Sequence, residues 1–198
     1  MNGHGHHHAA PPRRPKKDAA HEMQLPCTLE ELHAGTTRRM KISRRRVDPA
    51  TGASRQEAEI LTIEVRPGWK KGTKITFQEK GDEHPGRVPA DIVFVLAEKP
   101  HAAFAREGND LVYTHRLPLR EALTGAAVEL TTLDGRVLRV EVPEVVSPGY
   151  EKVVPGEGMP LTKHPGGKGN LRIRFDVLFP RQLSEAQRAA AKAALPAH

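Results

Sequence analysis

The chain has 198 residues, 37% of them hydrophobic and 4% aromatic, with a formal net charge of +7. That length allows one or two small domains with lean cores. No apolar run approaches the roughly 20 residues of a bilayer-spanning helix, and a single cysteine, Cys27, excludes a disulfide framework and a cysteine-based zinc site. The positive charge fits nucleic acid, acidic lipid or an acidic peptide, and fits plain solubility as well.

Residues 1–22 are of low complexity, Gly-His-Gly-His-His-His and then Ala-Pro-Pro-Arg-Arg-Pro-Lys-Lys, and read as a disordered tail or a purification remnant. The tail reading also takes in the histidines at positions 4 and 6–8, and the basic run Arg13, Arg14, Lys16 and Lys17, whose other reading is a nuclear import signal. The N-terminus has no apolar signal core, so a cytoplasmic location is expected, with a nuclear one as an alternative. Thr28-Leu29-Glu30-Glu31 is a capping box that starts a short helix, with Gly35 expected as its left-handed cap. From Thr36 the period changes to two: Met40 and Ile42 face one way, Arg39, Lys41 and Ser43 the other. Leu61, Ile63 and Val65 alternate in the same way, and Asp48-Pro49-Ala50-Thr51-Gly52 is turn chemistry between the two strands. Ile75 with Phe77 marks another strand, and residues 92–96 form an apolar, buried one.

The second half repeats this order. A short helix at 118–123 ends at Gly125, and strands at 128–133 and 137–142 flank Asp134-Gly135, the pattern of a two-residue hairpin loop. Leu29, Glu31, Gly35 and Met40 fall on Leu119, Glu121, Gly125 and Leu130; Pro67-Gly68-Trp69 falls on Pro148-Gly149-Tyr150. Matched order and spacing imply two copies of one β-rich unit. The first copy is nine residues longer between Leu29 and Pro67 than the second is between Leu119 and Pro148, the excess lying at 44–58. After Pro180, Ser184-Glu185-Ala186-Gln187 is a second capping box, opening an Ala-rich helix at 187–195 that Pro196 stops. A helix that short is marginal alone in water and must dock on something.

Catalytic patterns do not emerge. Gly166-Gly167-Lys168-Gly169 lacks the frame of a phosphate loop and reads as a turn. The carboxylate pairs Glu30/Glu31 and Asp82/Glu83 sit at a helix start and a turn, and His33, His84, His101, His115 and His164 show no ligand spacing. The chain reads as a non-enzyme with no cofactor and no metal. RNA binding through Arg38, Arg39, Lys41 and Arg44 to Arg46 is a minor alternative, because the aromatics needed for base stacking are scattered.

The repeat residues carry a resemblance. Leu29 to Thr36, Met40-Lys41-Ile42, the 67–75 run Pro-Gly-Trp-Lys-Lys-Gly-Thr-Lys-Ile, the 119–125 run and the 155–160 run Pro-Gly-Glu-Gly-Met-Pro are similar to the C-terminal client-binding region of class B DnaJ-type J-domain co-chaperones, from about residue 23 to 196. The resemblance implies a mainly β fold: two tandem β-sandwich or barrel-like domains with short helices, at 23–101 and 102–180, and a C-terminal dimerisation helix at 181–198. It implies binding of unfolded client polypeptides in a groove lined by Met23, Leu25, Met40, Ile42, Leu61 and Phe94. Leu61 and Phe94 suit ordinary core packing nearly as well, and Met23 and Met40 suit the groove better. The acidic C-terminal tail of the partner seventy-kilodalton heat-shock chaperone would meet Arg38 and Lys41, and Leu183 and Leu195 would hold a homodimer, with Arg181 and Arg188 at its rim. A third family lysine aligns near Ala58, next to Glu59, so one expected charge is missing. No His-Pro-Asp tripeptide of a J-domain is present, which leaves a piece of a longer protein or a protein that only binds; a structural adaptor in a fixed assembly such as a cilium is the alternative reading.

Overall fold

The computed structural model describes residues 16–48 and 50–196, and the chain divides into two compact units. The first comprises the described residues of Met1–Cys27, with Thr37–Val65 and Lys70–Glu98. Its strands are β1 (His21–Cys27), β2 (Thr36–Val47), β3 (Ser54–Val65), β4 (Lys74–Phe77) and β5 (Ile92–Glu98). β5 is the middle strand of the sheet β1-β5-β4, parallel to β1 and antiparallel to β4. Both faces of β5 are covered, Ile92, Phe94 and Leu96 lying on one and Val93 on the other, which is why its sequence is a continuous apolar run rather than an alternation. Ile92, Val93, Phe94 and Leu96 are all buried. Register sets Met23 and Ile75 on either side of Phe94, and the Phe77 ring meets the Phe94 ring edge-on at 5.8 Å.

β2 and β3 form a separate hairpin. Asp48 closes it: its amide donates to Ala53 O (2.9 Å), its carbonyl accepts from Gly52 (2.8 Å) and its carboxylate accepts from Ala50 N (2.8 Å). Ile42, Leu61, Ile63 and Val65 turn inward and are buried.

The second unit holds Thr28–Thr36, Arg66–Trp69 and the described residues from Lys99 on. It contains α1 (Leu29–Ala34), β6 (Phe104–Glu107), β7 (Asp110–Pro118), α2 (Leu119–Thr124), β8 (Ala126–Thr131), β9 (Val137–Val142), β10 (Glu151–Val154), β11 (Leu171–Leu178) and α3 (Glu185–Ala194). Its sheet runs β10-β11-β7-β6, with β11 parallel to β7, and β8 and β9 form a hairpin. Leu111, Leu117, Val128, Val142, Met159, Leu171 and Ile173 form its core. The parallel pair β7/β11 reproduces β1/β5, antiparallel β10/β11 reproduces β4/β5, and hairpin β8–β9 reproduces β2–β3. The duplication read from sequence is therefore a duplication of topology, to which β6 is an addition. The excess length of the first copy lies in the strands: β2 and β3 have 12 residues each, β8 and β9 have 6 each.

Several expectations need correction. Residues 16–22 are not tail: Lys17 bridges to Val88, and β1 begins at His21. Residues 1–15, with His4, His6, His7, His8, Arg13 and Arg14, lie outside the described residues, as does Pro49. Gly35 has φ 81° but ψ 155°, so α1 ends in an extended positive-φ residue and not a left-handed helical cap. Gly125 ends α2 in the same way, at φ 94° and ψ 150°. The second hairpin is not closed by two residues. Its last strand pair is Thr131 with Val137, leaving residues 132–136 as the loop, because Thr132 N donates to Arg136 O and Gly135 N returns to Thr132 O, both at 2.9 Å. α3 starts at Glu185, directly after its Ser184 cap.

Candidate functional site

β2 carries more of the residues singled out from sequence than any other element, and its pleat sorts them. Side chains alternate between faces, and burial along Thr36–Val47 follows that alternation from Thr36 to Arg45. Arg38, Met40, Ile42 and Arg44 are the covered set; Thr37, Arg39, Lys41, Ser43 and Arg45 are exposed. Arg38 and Lys41, three apart, therefore project from opposite faces of the strand.

The six apolar groove residues divide by depth. Leu25 and Phe94 are wholly buried at 0% exposure, and Ile42 and Leu61 retain 4%. These four are core in this structure. Met23 on β1 and Met40 on β2 are half-buried and retain surface. Among the described methionines, Met159 alone is fully enclosed.

The covered end of the hairpin is a charge lattice that inspection of single residues did not find. Glu59 takes Lys80 Nζ at 2.5 Å and Arg44 Nη2 at 2.8 Å. The Arg44 contact is close but poorly directed, so Glu59 Oε2 and Arg44 Nε keep no hydrogen bond although both are buried. The hydrogen bond from Lys80 and the charge of Arg44 lower the Glu59 pKa below the usual glutamate value. Arg46 reaches Glu57 and Glu83, and Glu83 also accepts Val47 N at 2.9 Å, the main cause of its own lowered pKa. Asp82 accepts Arg45 N at 2.6 Å. Parity held the signal: Arg44 and Arg46 share one row of β2, as Glu57 and Glu59 share one of β3, although Arg46 itself is exposed. Arg44 and Arg46, two of the five arginines offered for RNA binding, are thereby engaged by the protein's own acids.

In the second unit, α3 has no buried residue. Leu183 (38% exposed) and Leu195 (51%) flank it, and Phe179 (72%) precedes it, so the apolar side chains at this end of the chain are uncovered. Arg188 Nε donates to Leu183 O at 3.3 Å. Among the described residues no group of three His, Cys, Asp or Glu is placed to hold a metal ion, and no helix is long and apolar enough to cross a membrane.

Residues 21–180 match the family described as the DnaJ C terminal domain. The chain belongs to that family. It is 45% identical over 185 residues to DnaJ homolog subfamily B member 5 of Homo sapiens, covering 93% of this chain and 53% of that protein. It is 43% identical over 180 residues to DnaJ homolog subfamily B member 13 of Homo sapiens (91% and 57%), and 38% identical over 181 residues to Protein SIS1 of Saccharomyces cerevisiae (90% and 49%). The chain thus spans about half the length of the curated relatives it matches. The family match covers both topological copies and ends at residue 180, before α3.

Proposed function

We propose that this chain is the polypeptide-binding part of a class B DnaJ-type co-chaperone. The match of the DnaJ C-terminal domain across both copies carries the reading. In it, unfolded client segments bind the first unit where Met23 and Met40 leave apolar surface over a Leu25, Ile42, Leu61 and Phe94 core. Methionine suits such a role because its flexible, polarisable side chain adapts to varied partners. The acidic C-terminal tail of a seventy-kilodalton heat-shock chaperone adds along β2 through main-chain bonds, with charge from Lys41 on the exposed face and Arg38 on the other. A single rim contact of this kind contributes about 0.2–1 kcal/mol, so tail binding is weak and salt-sensitive. Two chains pair through α3, and the assembly acts in the cytoplasm.

The test is suppression of aggregation of a chemically denatured client without ATP. Wild-type protein is expected to hold the client, and Met23→Asp with Met40→Asp is expected to lose that activity while keeping its circular dichroism spectrum, since both side chains are half-exposed. Full activity in the double variant sinks the groove assignment.

A further inference from the structure

The second unit contains an apolar cup of about 410 Å³, lined by none of the residues of the proposed client surface. Pro67 and Trp69 form one wall, and Pro160, Leu161 and Pro165 the other. Both walls are fixed by hydrogen bonds to their backbone groups. Gly68 N donates to Leu32 O at 2.8 Å, and Arg106 donates to Trp69 O at 2.8 Å and Gly68 O at 3.0 Å. Opposite, Leu161 N donates to Gly167 O at 2.9 Å and Gly167 N to His164 O at 3.0 Å. A rigid cup of prolines and a half-buried tryptophan takes up a side chain with little ordering of its own, the property of binding hot spots.

Its rim is basic. Arg66 lines the cup, Lys163 lies in the loop between lining residues Thr162 and Pro165, and no acid lines it. Several arginines elsewhere in this unit are neutralised, among them Arg136 by Asp134 and Glu157, and Arg172 and Arg174 by Glu107 and Glu151. Among the described residues Arg66 and Lys163 are exposed and have no ion-pair partner. An apolar seat flanked by two uncommitted cations is complementary to an apolar side chain flanked by carboxylates.

We infer that this cup docks an acidic linear segment of a partner polypeptide, one apolar side chain seated against Trp69 and its neighbouring carboxylates held by Arg66 and Lys163. The inference does not depend on the client surface of the first unit.

Trp69 is the only tryptophan in the chain, so its fluorescence reports occupancy of the cup directly. The probe is a capped Glu-Asp-Leu-Asp-Glu peptide titrated into the intact protein. A saturable blue shift of the emission is expected. Binding at least tenfold weaker is expected for Lys-Arg-Leu-Arg-Lys, for Glu-Asp-Ser-Asp-Glu, and for the acidic leucine peptide added to an Arg66→Glu, Lys163→Glu variant whose circular dichroism matches the wild type. No saturable shift overturns the proposal. So does equal binding of the basic peptide, of the serine peptide, or by the variant.

Discussion

Gly68 and Gly149 hold the same place in the two copies and nearly the same backbone, φ 82° and φ 81°. Their surroundings differ. A Cβ on Gly68 would lie 2.3 Å from Pro160 O, whereas one on Gly149 would meet nothing within 4 Å. Gly149→Ala therefore carries only the positive-φ penalty, about 1–2 kcal/mol. Gly68→Ala adds an overpacking term and is expected to cost about 3–4 kcal/mol in total. Urea unfolding midpoints of the two variants measure the difference, and equal midpoints would contradict the packing described. Single residues also set the limit of what sequence tells about the site. Alternation places Met40 with Ile42 on one face of β2 and Leu61 with Ile63 on one face of β3, and burial along each strand follows it. It says nothing of depth, so it does not separate half-exposed Met40 from Ile42 at 4% exposure. Depth depends on which strands cover the row, and that is decided by long-range pairing.

At the level of elements, the capping boxes at Thr28 and Ser184 and the Asp48 turn were legible because each is a local hydrogen-bond arrangement. β6 went unread because four residues with only Phe104 buried leave almost no period, and the parallel pairing of β1 with β5 is a contact across some seventy positions of sequence. The β8–β9 loop shows local chemistry overruling a strong dipeptide signal. Thr132 donates its hydroxyl to Asp134, and Arg136 Nε donates to the other Asp134 oxygen at 2.9 Å. These bonds, the Thr132 hydroxyl first, lower the Asp134 pKa to about 2. A carboxylate with a depressed folded pKa adds stability that is present above its unfolded value near 3.8 and is lost as the pH falls toward 2. Surface screening holds this contribution to about 1 kcal/mol or less. Asp134→Asn is expected to flatten the pH dependence of unfolding between about pH 4 and pH 2 while leaving its course above that range unchanged. An unaltered slope in that interval would remove the loop contacts as its source.

Across the whole molecule, α3 is the element whose existence its own surroundings do not explain. Ten residues, mostly alanine, with no side chain buried, give too few contacts for a stable helix in isolation. The Ser184 and Gln187 capping box, with bonds of 3.2 and 2.9 Å, secures the first turn only. The exposed Phe179, Leu183 and Leu195 provide the apolar surface that a second α3 would cover, which is the physical case for the proposed dimer. Pairing has a consequence for binding. In the proposed dimer, two client surfaces, each built on two half-buried methionines, would raise the affinity for a long client over that of one surface through effective concentration, by roughly 10²-fold. Leu195→Asp is expected to sediment as a monomer and to lose that factor for an unfolded protein offering several apolar segments. Its affinity for a short single-segment peptide should stay at the wild-type value, because the first unit is untouched. A monomeric variant that binds both ligands as the wild type does would show that avidity has no part in client holding; a variant that remains dimeric would move the interface away from α3.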